Sequence, residues 1–196
     1  MRKIISKSND ITINNNFWER TLTDFHNDIQ KGDIFCIKSV LPKINNYDKY
    51  NFYPLIGEIL NDIGLNASIT RDGDTNNRAD AIIIDVNYSI PIEIKSPTEI
   101  EYINIKSIRQ ALENKIIFLS RKFYSTDLGT STLAIGFNYP EARSEVPQLI
   151  EDFYKTFKIN IGYIDIADLL KIHFNFLINN IEFDVNRFRL LKGKFK

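Results

Sequence analysis

The chain has a single cysteine, Cys36, among 196 residues, so a disulfide scaffold is excluded. A lone thiol suits a reducing compartment. There are only two histidines, His26 and His173, and neither has clustered partners. A zinc centre or a histidine-based catalytic site therefore has no support, and both are expected to be satisfied structural histidines. No apolar run approaches the roughly 20 residues of a membrane span. The opening MRKIISKSND is basic but lacks the apolar stretch of a secretory signal. The expected location is cytoplasmic, with no membrane partner. No glycine-rich phosphate loop is present, which argues against NTP-driven activity.

A surplus of charge is also missing: Lys plus Arg is 25 and Asp plus Glu is 25. Chains that grip DNA unaided are often basic overall. The balance leaves three options: no nucleic acid, acids at a metal site offsetting a local basic surface, or a partner that supplies the grip. The exception lies at 187–196, where Arg187, Arg189, Lys192, Lys194 and Lys196 meet no acid. This basic C-terminal tail is expected to be solvated and frayed, with phosphate contact as the alternative.

What is present describes an ordinary globular chain, with 43% hydrophobic, 26% charged and 12% aromatic residues. No repeat or low-complexity linker divides it, so residues 1–196 are expected to form one domain with its core at about 53–170. Phe17, Leu22, Phe25 and Ile29 predict a helix ending at Gly32. IFCIKSVL predicts a short strand. YPLIGEILNDIGL predicts a helix with Leu55, Ile56, Ile59, Leu60 and Ile63 on one side and Gly64 at its end. ASIT predicts a strand and RDGDTNNR a loop. ADAIIIDV and SIPIEIKS, joined by little more than Asn87-Tyr88, predict a β-hairpin. Beyond it come a helix over Thr98–Asn114, strands in KIIFLS and STLAIGFN, a helix in EVPQLIEDFYKTF, a strand in INIGYIDI and a helix in ADLLKIHFNFL. The order predicts an α/β fold: a mixed central sheet with an antiparallel hairpin, flanked by helices.

The second hairpin strand carries the chemical signal. Alternation in Ile90-Pro91-Ile92-Glu93-Ile94-Lys95 puts Ile92 and Ile94 on one face, and Glu93 and Lys95 on the other. Two charges on an interior-type strand are costly without compensation. A turn centred on Asn87-Tyr88 sets residues whose numbers sum to about 175 opposite one another. Asp80 then faces Lys95 and falls within one or two pair positions of Glu93. Two carboxylates this close repel unless a cation sits between them, and a hard ion such as Mg²⁺ suits oxygen ligands. The carbonyl of Ile94 is a candidate further ligand. Lys95, beside an attacking water, would orient or deprotonate it and stabilise charge in a phosphorane-like transition state. That is the chemistry of phosphodiester hydrolysis.

Ala79-Asp80, twelve intervening residues and Glu93-Ile94-Lys95 resemble the PD-(D/E)xK nuclease superfamily. Ala79 stands where that family usually has proline. Glu58, in the helix before the hairpin, and Gln110, in the helix after it, extend the resemblance, as does the position of IIFLS as the following strand. The whole resembles the cleavage domain of type II restriction endonucleases, type IIS among them, over roughly Tyr53 to Ser120. The resemblance implies a restriction-endonuclease-like fold and a Mg²⁺-dependent deoxyribonuclease, with Mn²⁺ as a substitute ion. It makes Asp80 and Glu93 metal ligands, Lys95 the catalytic lysine, Glu58 an extra ligand or orienter, and Gln110 a supporting residue. The implied partners are double-stranded DNA and a second copy or companion subunit. A repair, recombination or transposition nuclease, or a non-catalytic assembly subunit on a nuclease-like fold, are the alternatives.

A second triplet, Glu113-Asn114-Lys115, is expected at a helix end and reads as a decoy. Cys36, in an apolar run, is expected in the core. Asp72 and Asp74 suggest half of a calcium loop but lack its later Glu. Asn76, Asn77 and Arg78 are candidate phosphate contacts near the site or members of a plain polar loop.

Overall fold

The computed structural model describes residues 36–70, 78–121 and 125–196. The helix expected to end at Gly32, His26, and the pairs Asp72/Asp74 and Asn76/Asn77 lie outside the described residues.

The first element among the described residues is a helix, α1 (Cys36–Ile44), where IFCIKSVL was expected to form a strand. Ile37, Val40, Leu41 and Ile44 all pack on the core, and their spacing is helical. Helix α2 (Lys49–Asp62) begins at Asp48, whose side chain accepts the amide of Asn51 at 3.1 Å. It buries Phe52, Leu55, Ile56, Ile59 and Leu60. It ends just before Gly64, whose φ of +90° suits glycine.

Strands β1 (Ala67–Ile69), β2 (Ala81–Ile84) and β3 (Ser89–Lys95) are antiparallel neighbours. Helix α3 (Ile105–Ser120) then leads to β4 (Thr132–Gly136), and α4 (Val146–Phe157) to β5 (Ile161–Asp165). Helix α5 (Ile166–Asn179), the short α6 (Asn186–Arg189) and β6 (Gly193–Lys194) complete the described chain. The result is a mixed six-stranded sheet, ordered β1-β2-β3-β4-β5-β6, with β3 to β6 parallel.

Helices cover both faces of the sheet. Ile90, Ile92 and Ile94 of β3 point with Leu133 and Ile135 into the core shared with α1, α2 and α5. Ala134 and Tyr163 point to the other face, against Ile108 and Ala111 of α3 and Val146 and Ile150 of α4. Strand β3 is therefore buried along its whole length, although antiparallel hairpins often keep one solvated face.

Three further expectations are corrected. KIIFLS is the C-terminal part of α3, not a strand, and the next strand is β4. Helix α3 starts at Ile105 rather than Thr98 because Asn104 and Ser107 form a reciprocal capping box there. The C-terminal segment is not frayed: Phe188 and Phe195 are buried, and β6 pairs with β5. Phe183, Phe188 and Phe195 pack ring on ring, with centroids 4.6 to 6.3 Å apart. No described helix is long and apolar enough to cross a membrane.

Candidate functional site

The hairpin pairs Ala81 with Ile92 and Ile84 with Ser89, a register two residues tighter than expected. The cause is a turn spanning Asp85 to Tyr88, in which Asp85 N–H donates to the Tyr88 carbonyl and the Asp85 side chain accepts from Asn87 N–H. Continuing this register sets Asp80 level with Glu93 rather than with Lys95. The Asp80 carboxylate accepts the Ile94 amide at 2.8 Å. Its backbone is pinned by Thr70, the residue after β1, whose amide donates to the Asp80 carbonyl at 2.9 Å and whose hydroxyl donates to the Ala79 carbonyl at 2.5 Å. Ala79 is buried beside Ile82 and Phe118.

Glu93 and Lys95 face the α3 side, 4% and 9% exposed. Lys95 Nζ lies 2.7 Å from Glu93 Oε1, and Asn114 Nδ2 donates to Glu93 Oε2 at 2.9 Å. Behind Lys95, β3 meets Gly136 of β4. A Cβ on Gly136 would stand 2.6 Å from Ile103 Cγ1, so glycine is required for the segment leading to α3 to close over the strand.

A third carboxylate, Glu99, reaches this end of β3. Its Oε2 accepts the Ser96 amide at 3.0 Å, the Ser96 hydroxyl at 2.8 Å and the Tyr53 hydroxyl at 3.1 Å. Tyr53 is also 2.8 Å from the Ile94 carbonyl. Its single proton thus serves two acceptors. The sequence holds one signal for Glu99, since Ser-x-x-Glu is a capping-box pattern. Tyr53 and Asn114 come from other elements and have no local signature.

The electrostatics follow from this crowding. Burial, and then the Glu93 charge, push the Asp80 carboxyl up to about 7, against the Ile94 amide and the Lys95 ammonium. Burial works to lower the Lys95 pKa, but the charge and hydrogen bond of Glu93, with Asp80 and Glu99, outweigh it and raise the pKa. Burial, then Asp80 and Glu99, raise the Tyr53 hydroxyl. Negative charge is in excess, and Lys95 is held as an ammonium.

Asp80, Glu93, Ile94 and Lys95 are therefore brought together. Glu58 is half-buried on α2 and is not among the charges acting most on Asp80 and Lys95; Glu99 holds that place. Gln110 lies on α3 one turn before Asn114, and its Oε1 is buried without a hydrogen-bond partner among the described residues. No group of three or more His, Cys, Asp or Glu suited to a metal is present among the described residues. Mg²⁺ does not require one: it is commonly held by one or two carboxylates, with waters and substrate phosphate completing its shell. The Asp80–Glu93 pair, in which burial and then the Glu93 charge raise Asp80, has hard oxygen donors, and an ion between them would relieve that repulsion.

Other candidates find structural roles. His173 is fully buried, with Nε2 3.0 Å from Asp62 Oδ2. Cys36 opens α1. Arg78 pairs with Glu113 at 2.8 Å on the surface. Lys115 is not at a helix end as expected: it is fully buried within α3, its Nζ donating to Thr126 Oγ1 at 2.7 Å and the Asp127 carbonyl at 2.5 Å. Four of the C-terminal basic residues are engaged within the fold. Arg187 lies over Phe195, Arg189 over Tyr88 and Lys194 over Tyr139, while Lys192 pairs with Glu151.

Comparison with protein families, with curated proteins and with solved structures returned no match.

Proposed function

We propose that the chain is a metal-dependent DNA endonuclease of the PD-(D/E)xK type, hydrolysing phosphodiester bonds in a restriction or related defence system in the cytoplasm. The observation that carries this reading is the convergence of the half-buried Asp80 with the buried Glu93 and Lys95 at the open end of the β2–β3 hairpin. Such a cluster is expensive to maintain for structure alone. The helix carrying Glu58 before the hairpin and the helix carrying Gln110 after it are in the order the resemblance implies, whereas IIFLS, its expected following strand, is helix.

In this reading a water oxygen attacks phosphorus in line. One P–O bond forms while the opposite P–O bond breaks; the attacking water releases a proton to solvent, and the leaving oxygen departs with the electron pair and takes up a proton from solvent, so that OH adds to phosphorus and H to the leaving oxygen. Asp80, Glu93 and the Ile94 carbonyl, which also accepts from the Tyr53 hydroxyl, would hold Mg²⁺, with Mn²⁺ as a substitute. When bound, the ion supplies Lewis acidity toward the phosphate. Lys95, kept protonated by Glu93, contributes positive charge to the transition state rather than acting as the base. One such site cuts one strand, so double-strand cleavage calls for a second copy or a companion subunit.

The test is plasmid nicking in Mg²⁺ against EDTA. Metal-dependent nicking supports the reading; none at all, with any partner present, favours a non-catalytic assembly subunit. That second reading has its own observation: both oxygens of Glu93 are already satisfied, by Lys95 and Asn114.

A further inference from the structure

We infer that Asn114 is a positioning residue for the Glu93 carboxylate, and through it for the divalent ion; this rests on the metal-site reading proposed above. Asn114 is the middle residue of the second Glu-x-Lys triplet, whose flanking Glu113 and Lys115 point elsewhere. It is 4% exposed, as is Glu93. An ionised carboxylate only accepts hydrogen bonds, so the amide atom 2.9 Å from Oε2 must be Nδ2.

The Lys95 contact alone does not fix Glu93. Both residues sit on one face of one strand, and the last torsion of a glutamate is broad and two-fold. Asn114 approaches from the opposing layer, from a residue 21 positions away in sequence. It locks that torsion by holding Oε2 while Lys95 holds Oε1. Being neutral, the amide orients the carboxylate without neutralising it, so the negative charge needed to attract a cation is kept.

The position of Asn114 is itself fixed. Ala111 and Phe118 beside it on α3 are buried. The Thr132 hydroxyl lies 3.1 Å from the Pro91 carbonyl on β3 and 3.0 Å from the Ala111 carbonyl on α3, bridging strand and helix. Lys115 anchors the next residue to the 126–127 segment. The helix therefore cannot slide along β3 without breaking several buried bonds. Mg²⁺ demands near-ideal octahedral geometry, so a carboxylate ligand that rotates is a poor one. Removing the partner that orients a metal ligand typically weakens metal affinity 10- to 100-fold.

The experiment titrates Ca²⁺, which usually supports little turnover, into the full chain by calorimetry. It compares the wild type, Asn114→Leu, Asn114→Ala and Lys115→Met, with circular dichroism melts alongside. Leucine keeps the volume and alanine leaves room. The expected result is Ca²⁺ affinity lowered about 10- to 100-fold in both folded Asn114 variants. Lys115→Met should change stability but not affinity. Folded Asn114 variants that bind Ca²⁺ as the wild type does, or failure of both to fold, would assign the residue a merely structural role and overturn the inference. A wild type that binds no divalent ion would instead remove the metal-site reading itself, and the Asn114 inference with it.

Discussion

Lys95 Nζ stands 2.7 Å from Glu93 Oε1, with the two side chains 11% and 5% exposed. The pair is buried deeply enough that removing one partner leaves the other uncompensated, at a cost of about 3–5 kcal/mol for buried pairs. Under the proposed nuclease reading, activity and stability are thus linked at this site. Lys95→Ala is expected to lower turnover by at least about 100-fold, the usual scale for a positioned charge, and also to lower Tm. Glu93→Gln should lose both metal affinity and turnover. Glu113→Ala, which breaks only an exposed pair with Arg78, should retain activity and stability. Plasmid nicking in Mg²⁺ with parallel thermal melts measures both effects. An active Glu93→Gln variant beside a dead Glu113→Ala variant would refute the site assignment.

Lys115 gives a pH signature away from the proposed metal ligands. Burial lowers its pKa to about 8, and the Asp127 charge only partly opposes this. In the unfolded chain the value is about 10.4. Between these values the unfolded state binds more protons than the folded one, so stability rises with pH across the window. Below about pH 8 the full penalty of a buried ammonium is present. Lys115→Met removes the penalty together with two hydrogen bonds, so its net stability combines opposing effects while its slope does not. Denaturant melts from pH 7 to 10.5 should show a smaller rise in stability for the variant than for the wild type. Equal slopes would count against the buried charge.

The convergence of Asp80, Glu93 and Lys95 was legible in outline because it rests on local pattern. Alternation in the hairpin placed Glu93 and Lys95 on one face, and a short turn brought Asp80 near them. The exact register was not legible, since it depends on how Asp85 closes the turn. KIIFLS misled because a short apolar run suits a buried strand and a helix segment equally. The capped start at Asn104 and the burial of both Asn114 and Phe118 make it helix. IFCIKSVL misled in the same way. In the C-terminal segment, five basic residues drew attention from Phe188 and Phe195, whose burial anchors it. Tyr53 and Asn114 were invisible because each reaches β3 across a separation of 41 or 21 residues.

Asp165 offers a stability test with the opposite sign. It caps α5 by accepting the Asp168 amide at 2.8 Å, and burial pushes its pKa up to about 6 despite that bond. Between the unfolded value of about 3.9 and the folded one, the folded state binds more protons. Stability contributed by this group therefore falls as pH rises through the window, and stays reduced above it. Asparagine caps a helix as well as aspartate does. Asp165→Asn should gain stability relative to the wild type as pH rises from 4 to 7. Thermal melts at both pH values measure the difference, and a gain that shrinks instead would show that the charge is not penalised.

DNA binding should depend on a divalent ion. Asp80, Glu93 and Glu99 crowd the end of β3 against the single ammonium of Lys95, so the site repels phosphate when no cation is bound. The C-terminal basic residues offer limited compensation, because Arg187, Arg189, Lys192 and Lys194 are engaged with aromatic rings or Glu151. With zero net charge over the whole chain, little long-range attraction remains. Affinity for a short duplex is expected to be weak in EDTA and to rise by at least about tenfold in Ca²⁺, the equivalent of 1.4 kcal/mol. In Ca²⁺, log affinity should fall linearly with log salt, with a slope set by the number of phosphates contacted. Fluorescence anisotropy over a salt series in each condition reads both quantities. Tight, salt-insensitive binding in EDTA would mean that the grip lies away from Asp80 and Glu93 and owes nothing to a metal there.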